Sequence, residues 1–147
     1  MKKIIITLAV CLLAFAAFEL RAQSQKLPTL TSAQYASMKK DDVYVIMFSQ
    51  QGCGPCKLAK RTIFPALVKK YAAEPNVHVY LFPTDTDVPA PDGTLLPNRL
   101  GISSVPAFVV LYNDTDHLSD SAPLSGYSSG MRAGLEQKIA AAVSNVK

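Results

Sequence analysis

The sequence predicts an α/β fold, a central mixed β-sheet of about four strands flanked by helices. Three observations carry this. Runs rich in β-branched and aromatic residues at 43–49, 77–82 and 106–112 are apolar on both faces, as strands buried between two layers are. Stretches with apolar residues at helical spacing separate the first two runs and close the chain. A polar, turn-forming segment after the third run leads to a short fourth one. The expected order is α-β-α-β-α-β-β-α, its first half parallel and its second half an antiparallel hairpin.

At 147 residues the chain suits one domain and is short for two. With 49% hydrophobic and 18% charged residues it can build a core and lacks the composition of a disordered protein. The formal charge of +4 overstates its basic character, because Lys2, Lys3, Glu19 and Arg21 all lie in the first 22 residues. Residues 23–147 carry 12 basic and 10 acidic side chains. No Lys/Arg stripe stands out there to track phosphates, so nucleic-acid binding is not expected.

Met1-Lys2-Lys3 is a short positive region, and Ile4 to Phe18 is apolar except at Thr7. Leu20-Arg21-Ala22 ends in a small residue suited to signal peptidase, so 1–22 reads as a secretory signal. The apolar run of 15 residues falls short of a membrane span, which needs about 20. An uncleaved anchor is the competing reading. A lipoprotein would use Cys11, but Val10 is a poor residue before a modified Cys and the apolar run continues past it. Cleavage after Ala22 would start the exported chain at Gln23, in a compartment where disulfides persist.

Residues 23–42 form a lead-in and a first helix, and 43–147 the principal domain. Gln23 to Leu30 reads as a mobile lead-in. Thr31-Ser32-Ala33-Gln34 is a capping box opening a helix to about Lys40. Val43 to Ser49 is a buried central strand. After Gln50-Gln51-Gly52, a helix is expected from Gly54 to Ala73, kinked by Pro65, which lacks a backbone donor. Val77 to Phe82 is a second strand, and Pro83 to Pro97 a Pro- and Asp-rich loop. One helical turn over Pro97–Leu100 ends at Gly101. Pro106 to Tyr112 and Pro123 to Tyr127 are the last strands, joined through polar Asn113–Ser121. Ser128 or Ser129 caps a final helix in which Met131, Leu135, Ile139 and Val143 recur every four residues.

Outside the signal the chain keeps two cysteines, in Cys53-Gly54-Pro55-Cys56. A loop this small removes little chain entropy on closure, so a stabilising role for a disulfide is weak. A zinc site needs about four ligands, and only His78 and His117 are left to join the two thiols, without a second Cys pair or a His-x3–5-His spacing, so no metal is expected. His78 reads as a structural strand residue and His117 as a solvated loop residue. Asp85-Thr86-Asp87 and Asp92-Gly93 echo a calcium loop with the wrong acidic spacing, so a solvated loop is expected.

Three segments together resemble the thioredoxin fold: Val45-Ile46-Met47-Phe48, Cys53-Gly54-Pro55-Cys56-Lys57 and Gly101-Ile102-Ser103-Ser104-Val105-Pro106, with Gly126 matching the family's late glycine. The resemblance runs from about Val43 to Val143. It implies that Pro106 is cis and lies beside the cysteines, and that the Val105 backbone pairs with a bound substrate. The chemistry of the residues agrees. A dithiol exchanges disulfides through thiolate attack, a mixed disulfide and release by the second thiol. Cys53 at a helix N-terminus, with Lys57 nearby, suits the attacking thiolate. Cys56 one turn in suits the resolving thiol, and Gly54 and Pro55 let the helix start tightly.

The sequence also departs from the family pattern. Gly52 replaces the Trp before the motif, Met47 takes the place of the buried Asp, and the buried Lys maps near Leu81. Charged partners lost together avoid an unpaired buried charge. The expected function is an exported, periplasmic thiol–disulfide oxidoreductase, monomeric and without a cofactor. Because the resemblance includes the Gly-Pro dipeptide of reducing thioredoxins, it implies a reductase of protein disulfides, supplied with electrons by a membrane thiol protein. The alternative is a redox-inert thioredoxin-fold module that binds peptides in the same groove. The intact cysteine pair favours the enzyme.

Overall fold

The structure, a computed structural model, describes residues 27–86, 89, 93–112 and 122–146. The expected signal at 1–22, His117 and most of the segment between the third and fourth strands lie outside the described residues.

Helix α1 (Ser32–Ala36) opens on the predicted capping box. The Gln34 amide donates to Thr31 Oγ1 at 3.3 Å and the Thr31 amide to Gln34 Oε1 at 2.9 Å. The helix stops four residues before Lys40, for two local reasons. Ser37 Oγ donates to Gln34 O, and the Lys39 amide donates to Tyr44 Oη at 2.7 Å rather than to a helical carbonyl.

Strand β1 (Val43–Ser49) is buried at every position, as its unbroken apolar run predicts. Helix α2 (Gly54–Thr62) and helix α3 (Phe64–Tyr71) replace the single kinked helix of the sequence reading. The break falls at Ile63, and Pro65 lies in the first turn of α3, where a missing N–H costs nothing. Two backbone bonds still bridge the break, Ile63 N to Ala59 O at 3.0 Å and Leu67 N to Ile63 O at 3.1 Å.

Strand β2 (Val77–Pro83), one-turn helix α4 (Leu96–Arg99), strand β3 (Ala107–Tyr112), strand β4 (Leu124–Ser125) and helix α5 (Met131–Asn145) complete the chain. The sheet order is β2-β1-β3-β4, with β1·β2 parallel and the remaining pairs antiparallel. Two expectations need correction. The fourth strand is only two residues long: the Gly126 amide still bonds its register partner Pro106 O at 2.8 Å, but proline has no N–H to return the bond, and the ladder ends there. Neither Ser128 nor Ser129 caps α5 with its side chain; Gly130 is the N-cap, and the Met131 amide bonds Ser128 O. The lead-in is also not free at its end. Leu30 N donates to Leu81 O at 2.8 Å and Leu81 N to Pro28 O at 2.7 Å, and Leu30 is buried.

Alternation along β1 sends its side chains into two cores. Val43, Val45 and Met47 pack with Ala59, Ile63, Phe64 and Leu67 of α2 and α3 and with Leu135 and Ile139 of α5. Tyr44, Ile46 and Phe48 pack on the other face with Leu30, Tyr35 and Leu96. Each fully buried Leu, Ile or Phe contributes about 1.5–3 kcal/mol. The two layers fix where β1 ends, and therefore where the loop carrying Cys53 emerges.

Candidate active site

Ser49 is the last residue of β1, and four residues later the chain enters α2 with Cys53 as its N-cap. Gly52 makes the turn at φ +80°, a left-handed backbone that a residue with a Cβ adopts at a cost. The absence of the family's Trp at this position therefore accompanies a backbone that favours glycine. Pro55 occupies the first turn of α2, where no donor is lost.

Cys53 and Cys56 are joined in a disulfide, their Cα atoms 5.2 Å apart. Cys53 is partly exposed, whereas Cys56 is buried, only 1% exposed. Cys53 Sγ accepts the Cys56 amide at 3.1 Å, filling the capping position that an Asp or Ser oxygen fills elsewhere. An N–H aimed at this sulfur, together with the helix terminus, favours negative charge on it once the disulfide is reduced. Lys57 donates its amide to Cys53 O at 3.1 Å, and its side chain is exposed.

Across from the disulfide, the loop before β3 brings Val105 O to 3.8 Å from Cys53 Sγ. The sulfur carries no proton while bonded to Cys56, so this is a contact in the oxidised form and becomes a thiol donor's acceptor in the reduced form. The Val105–Pro106 peptide bond is cis, Pro106 is buried, and its carbonyl accepts the Gly126 amide. Thus Cys53, Gly54, Pro55, Cys56, Val105 and Pro106, drawn from two loops more than forty residues apart, meet at the carboxyl end of β1, with Lys57 alongside.

Beneath them Met47 is fully buried and stands opposite Leu81 in the β1·β2 register, the pair expected to replace the family's buried charges. A hollow of about 320 Å³ beside Val105 is lined by Gln50, Thr84, Leu95, Pro97, Asn98, Ile102, Ser103 and Ser104. Both ends of the long 83–97 loop therefore reach the site, and Thr84 ties itself to β1 through N–H and Oγ1 bonds to Ser49 O.

Other candidates lie elsewhere. His78 is on β2 opposite Tyr44, at the far end of the sheet, where its Nε2 lies 3.0 Å from Asp42 Oδ2 and its ring stacks on Tyr44. Among the described residues no three His, Cys, Asp or Glu side chains gather as metal ligands do. Sequence reasoning missed two features at the site. Ser49 Oγ is buried without a hydrogen-bond partner, and Tyr127 Oη lies 3.3 Å from Thr62 Oγ1 on α2. Ser49 could have been suspected as the one polar residue of an apolar run; the Tyr127 contact spans 65 residues and leaves no local signal.

The comparisons agree with this architecture. A chain solved in work on the structural basis of the thiol resolving mechanism in yeast mitochondrial 1-Cys peroxiredoxin via glutathione/thioredoxin systems superposes with a TM-score of 0.54. It is 24% identical, and the match covers 78% of this chain and 94% of that one. Fasciola hepatica thioredoxin superposes with a TM-score of 0.51 at 20% identity, covering 70% of this chain and 83% of that one. No protein-family model and no curated protein matches the sequence. The chain has the thioredoxin fold. Within that fold it carries its close cysteine pair at the start of the helix after β1, an arrangement that supports thiol-based redox chemistry.

Proposed function

We propose that the protein is an exported thiol–disulfide oxidoreductase that reduces protein disulfides, with Cys53 as nucleophile and Cys56 as resolving thiol. The observation that carries this reading is the asymmetry of the pair: one sulfur accessible and capped by an amide, the other buried behind it. In the reduced protein, Cys53 thiolate attacks one sulfur of a client disulfide. The client's other sulfur leaves as a thiolate and takes a proton. Cys56, losing its own proton, then attacks Cys53 Sγ and releases the client's first sulfur. Two electrons pass to the client, and the product is the disulfide described here. The Val105 backbone borders Cys53 and can pair with an extended client segment. Re-reduction requires a second dithiol, in this reading a membrane thiol protein, because the periplasm is kept oxidising. The signal-like segment at 1–22 supports export, and the protein acts as a monomer.

Cys53→Ser abolishes reduction of insulin by the reduced protein, whereas Cys56→Ser accumulates mixed disulfides with client proteins. A higher yield of trapped client with Cys53→Ser than with Cys56→Ser would reverse the assignment of roles.

A further inference from the structure

The three large hydrophobic side chains most exposed among the described residues are Leu58 at 44%, Leu95 at 43% and Tyr127 at 36%. All three belong to segments that build the disulfide's surroundings. Two of them share one surface. Leu58 is in the second turn of α2, and Thr62 Oγ1, one turn later, donates to Leu58 O at 2.9 Å while lying 3.3 Å from Tyr127 Oη. Tyr127 is held there from its other side, since the neighbouring Gly126 is bonded to Pro106 O. Through Thr62 the exposed Leu58 and Tyr127 are thus joined to the helix that Cys53 caps, and through Gly126 to the loop that borders the disulfide.

The stretch that spans α2 and α3 is one-sidedly charged. Between Ser49 and Ala73 the sequence has five basic residues and no acidic one. Net charge over the whole chain hides this cluster. Lys70 is neutralised by Glu136 at 2.7 Å. Lys57, Lys60 and Arg61 have no ion-pair partner among the described residues. Helical spacing places Lys57 and Arg61 in a row beside Leu58 and Thr62, with Cys56, Ala59 and Ile63 turned to the core. Asp41, Asp42 and Glu74 belong to the opposite end of the sheet. Asp85, on the loop after β2, pairs with none of these cations.

We infer that the outer face of α2, with Tyr127, docks client polypeptides that carry acidic side chains and an apolar residue beside the disulfide to be reduced. The inference rests on the oxidoreductase reading and adds the class of client. Unpaired cations on the helix that Cys53 caps raise the encounter rate with an acidic segment, and Leu58 with Tyr127 offers apolar area to hold it. A polypeptide is favoured over a lipid surface because the charged row flanks a disulfide, whose chemistry requires a sulfur partner.

The test uses three disulfide-bonded peptides, identical except for three flanking positions filled by Glu, Gln or Lys. Each keeps a Leu next to one Cys. The second-order rate constant is measured with the reduced full-length protein. The Glu peptide is expected to react about tenfold faster than the Lys peptide at low salt, and within about twofold in 0.5 M NaCl. The double variant K60E/R61E should reverse the order, a result that general loss of activity cannot produce. Leu58→Ser should slow the Glu and Lys peptides alike. Equal rates for all three peptides would overturn the docking face and leave the oxidoreductase standing. No exchange with any peptide, nor with hydroxyethyl disulfide, would overturn both. Peptide rates that ignore charge, together with K60E/R61E-sensitive binding to phosphatidylglycerol vesicles, would assign the face to lipid and overturn the inference.

Discussion

The two ends of the β1·β2 pair are built to opposite rules. At the end where these strands begin, polar groups satisfy one another. Asp42 Oδ2 accepts from the Tyr44 hydroxyl at 3.3 Å and lies 3.0 Å from His78 Nε2, while the Lys39 amide donates to Tyr44 Oη. Tyr44 and His78 stack with ring centroids 4.9 Å apart. At the end where the strands finish, groups are left available. Cys53 is partly exposed, Leu58 and Tyr127 face solvent, Lys57, Lys60 and Arg61 have no ion partner among the described residues, and Ser49 Oγ is buried unpaired. The difference teaches where the fold holds itself together and where it meets other molecules: satisfied polar networks rigidify, while unpaired groups are what a partner can use.

The strongest way to break that division is to place a charge in the core beneath the disulfide. Met47→Asp buries a carboxylate opposite Leu81 with no cation to meet it. It should destabilise the fold by about 3 kcal/mol or more, read by urea denaturation. Loss of less than about 1 kcal/mol would mean that the site admits water or a counter-charge. A second effect concerns rate. Met47 cannot accept a proton, so the buried Cys56 must deprotonate without a neighbouring carboxylate. The resolving step should accelerate by roughly tenfold per pH unit from pH 6 toward the ordinary thiol value of about 8.5. A rate flat from pH 6 to 9 in stopped-flow measurements would point to another base.

At the satisfied end, Tyr44→Phe leaves the Lys39 amide without its acceptor. It should cost about 1 kcal/mol and leave disulfide exchange unchanged. Altered exchange would show that the two ends communicate. Burial pushes the Tyr44 hydroxyl above its usual value; the Lys39 amide opposes that shift and Asp42 adds to it. A neutral acid held neutral on folding contributes its full stability below about pH 10. That contribution fades as pH climbs from there through the raised folded value, so an alkaline melting series should fall less steeply for Tyr44→Phe. Smallest of all is the surface pair. Lys70 and then Arg132 hold Glu136 below its ordinary range, and the group is only partly covered from solvent. Its stabilising effect is present above the ordinary Glu value and lost as pH falls through the lowered one. Glu136→Gln should flatten that acid limb of the melting curve, lowering the melting temperature slightly at neutral pH and not at all in acid.

What the sequence disclosed follows the range of the forces involved. Strand β1, the capping box at Thr31 and the cysteine motif are local patterns, and each is read within seven residues. The placing of Leu81 near Met47 was legible to within two residues only through the resemblance, which carries the position of the buried Lys onto the next strand. The break at Ile63 was not, since Pro65 announces a lost donor but does not say whether the helix bends or restarts. The truncated β4 depends on which residue faces Gly126: its register partner is Pro106, which cannot donate the return bond, and that pairing is set by tertiary structure. The surface shared by Leu58, Thr62 and Tyr127 joins residues far apart in the chain, whereas the cations beside it are local in sequence and were hidden only by summing charge over the whole molecule.

The short bridge of Pro28–Leu30 to Leu81 has a consequence for solubility. β2 is an outer strand of seven residues, and a bare outer strand is a template on which another chain can add itself. The incoming segment occupies both backbone groups of Leu81, near the middle of that edge, and buries Leu30 beside it. Proline at 28 cannot donate a ladder bond of its own, so this added stretch does not become a new edge as inviting as the one it covers. A chain beginning at Thr31 would keep its disulfide and its chemistry yet carry an unguarded edge. Such a chain would be expected to aggregate on storage while the longer form stays clear.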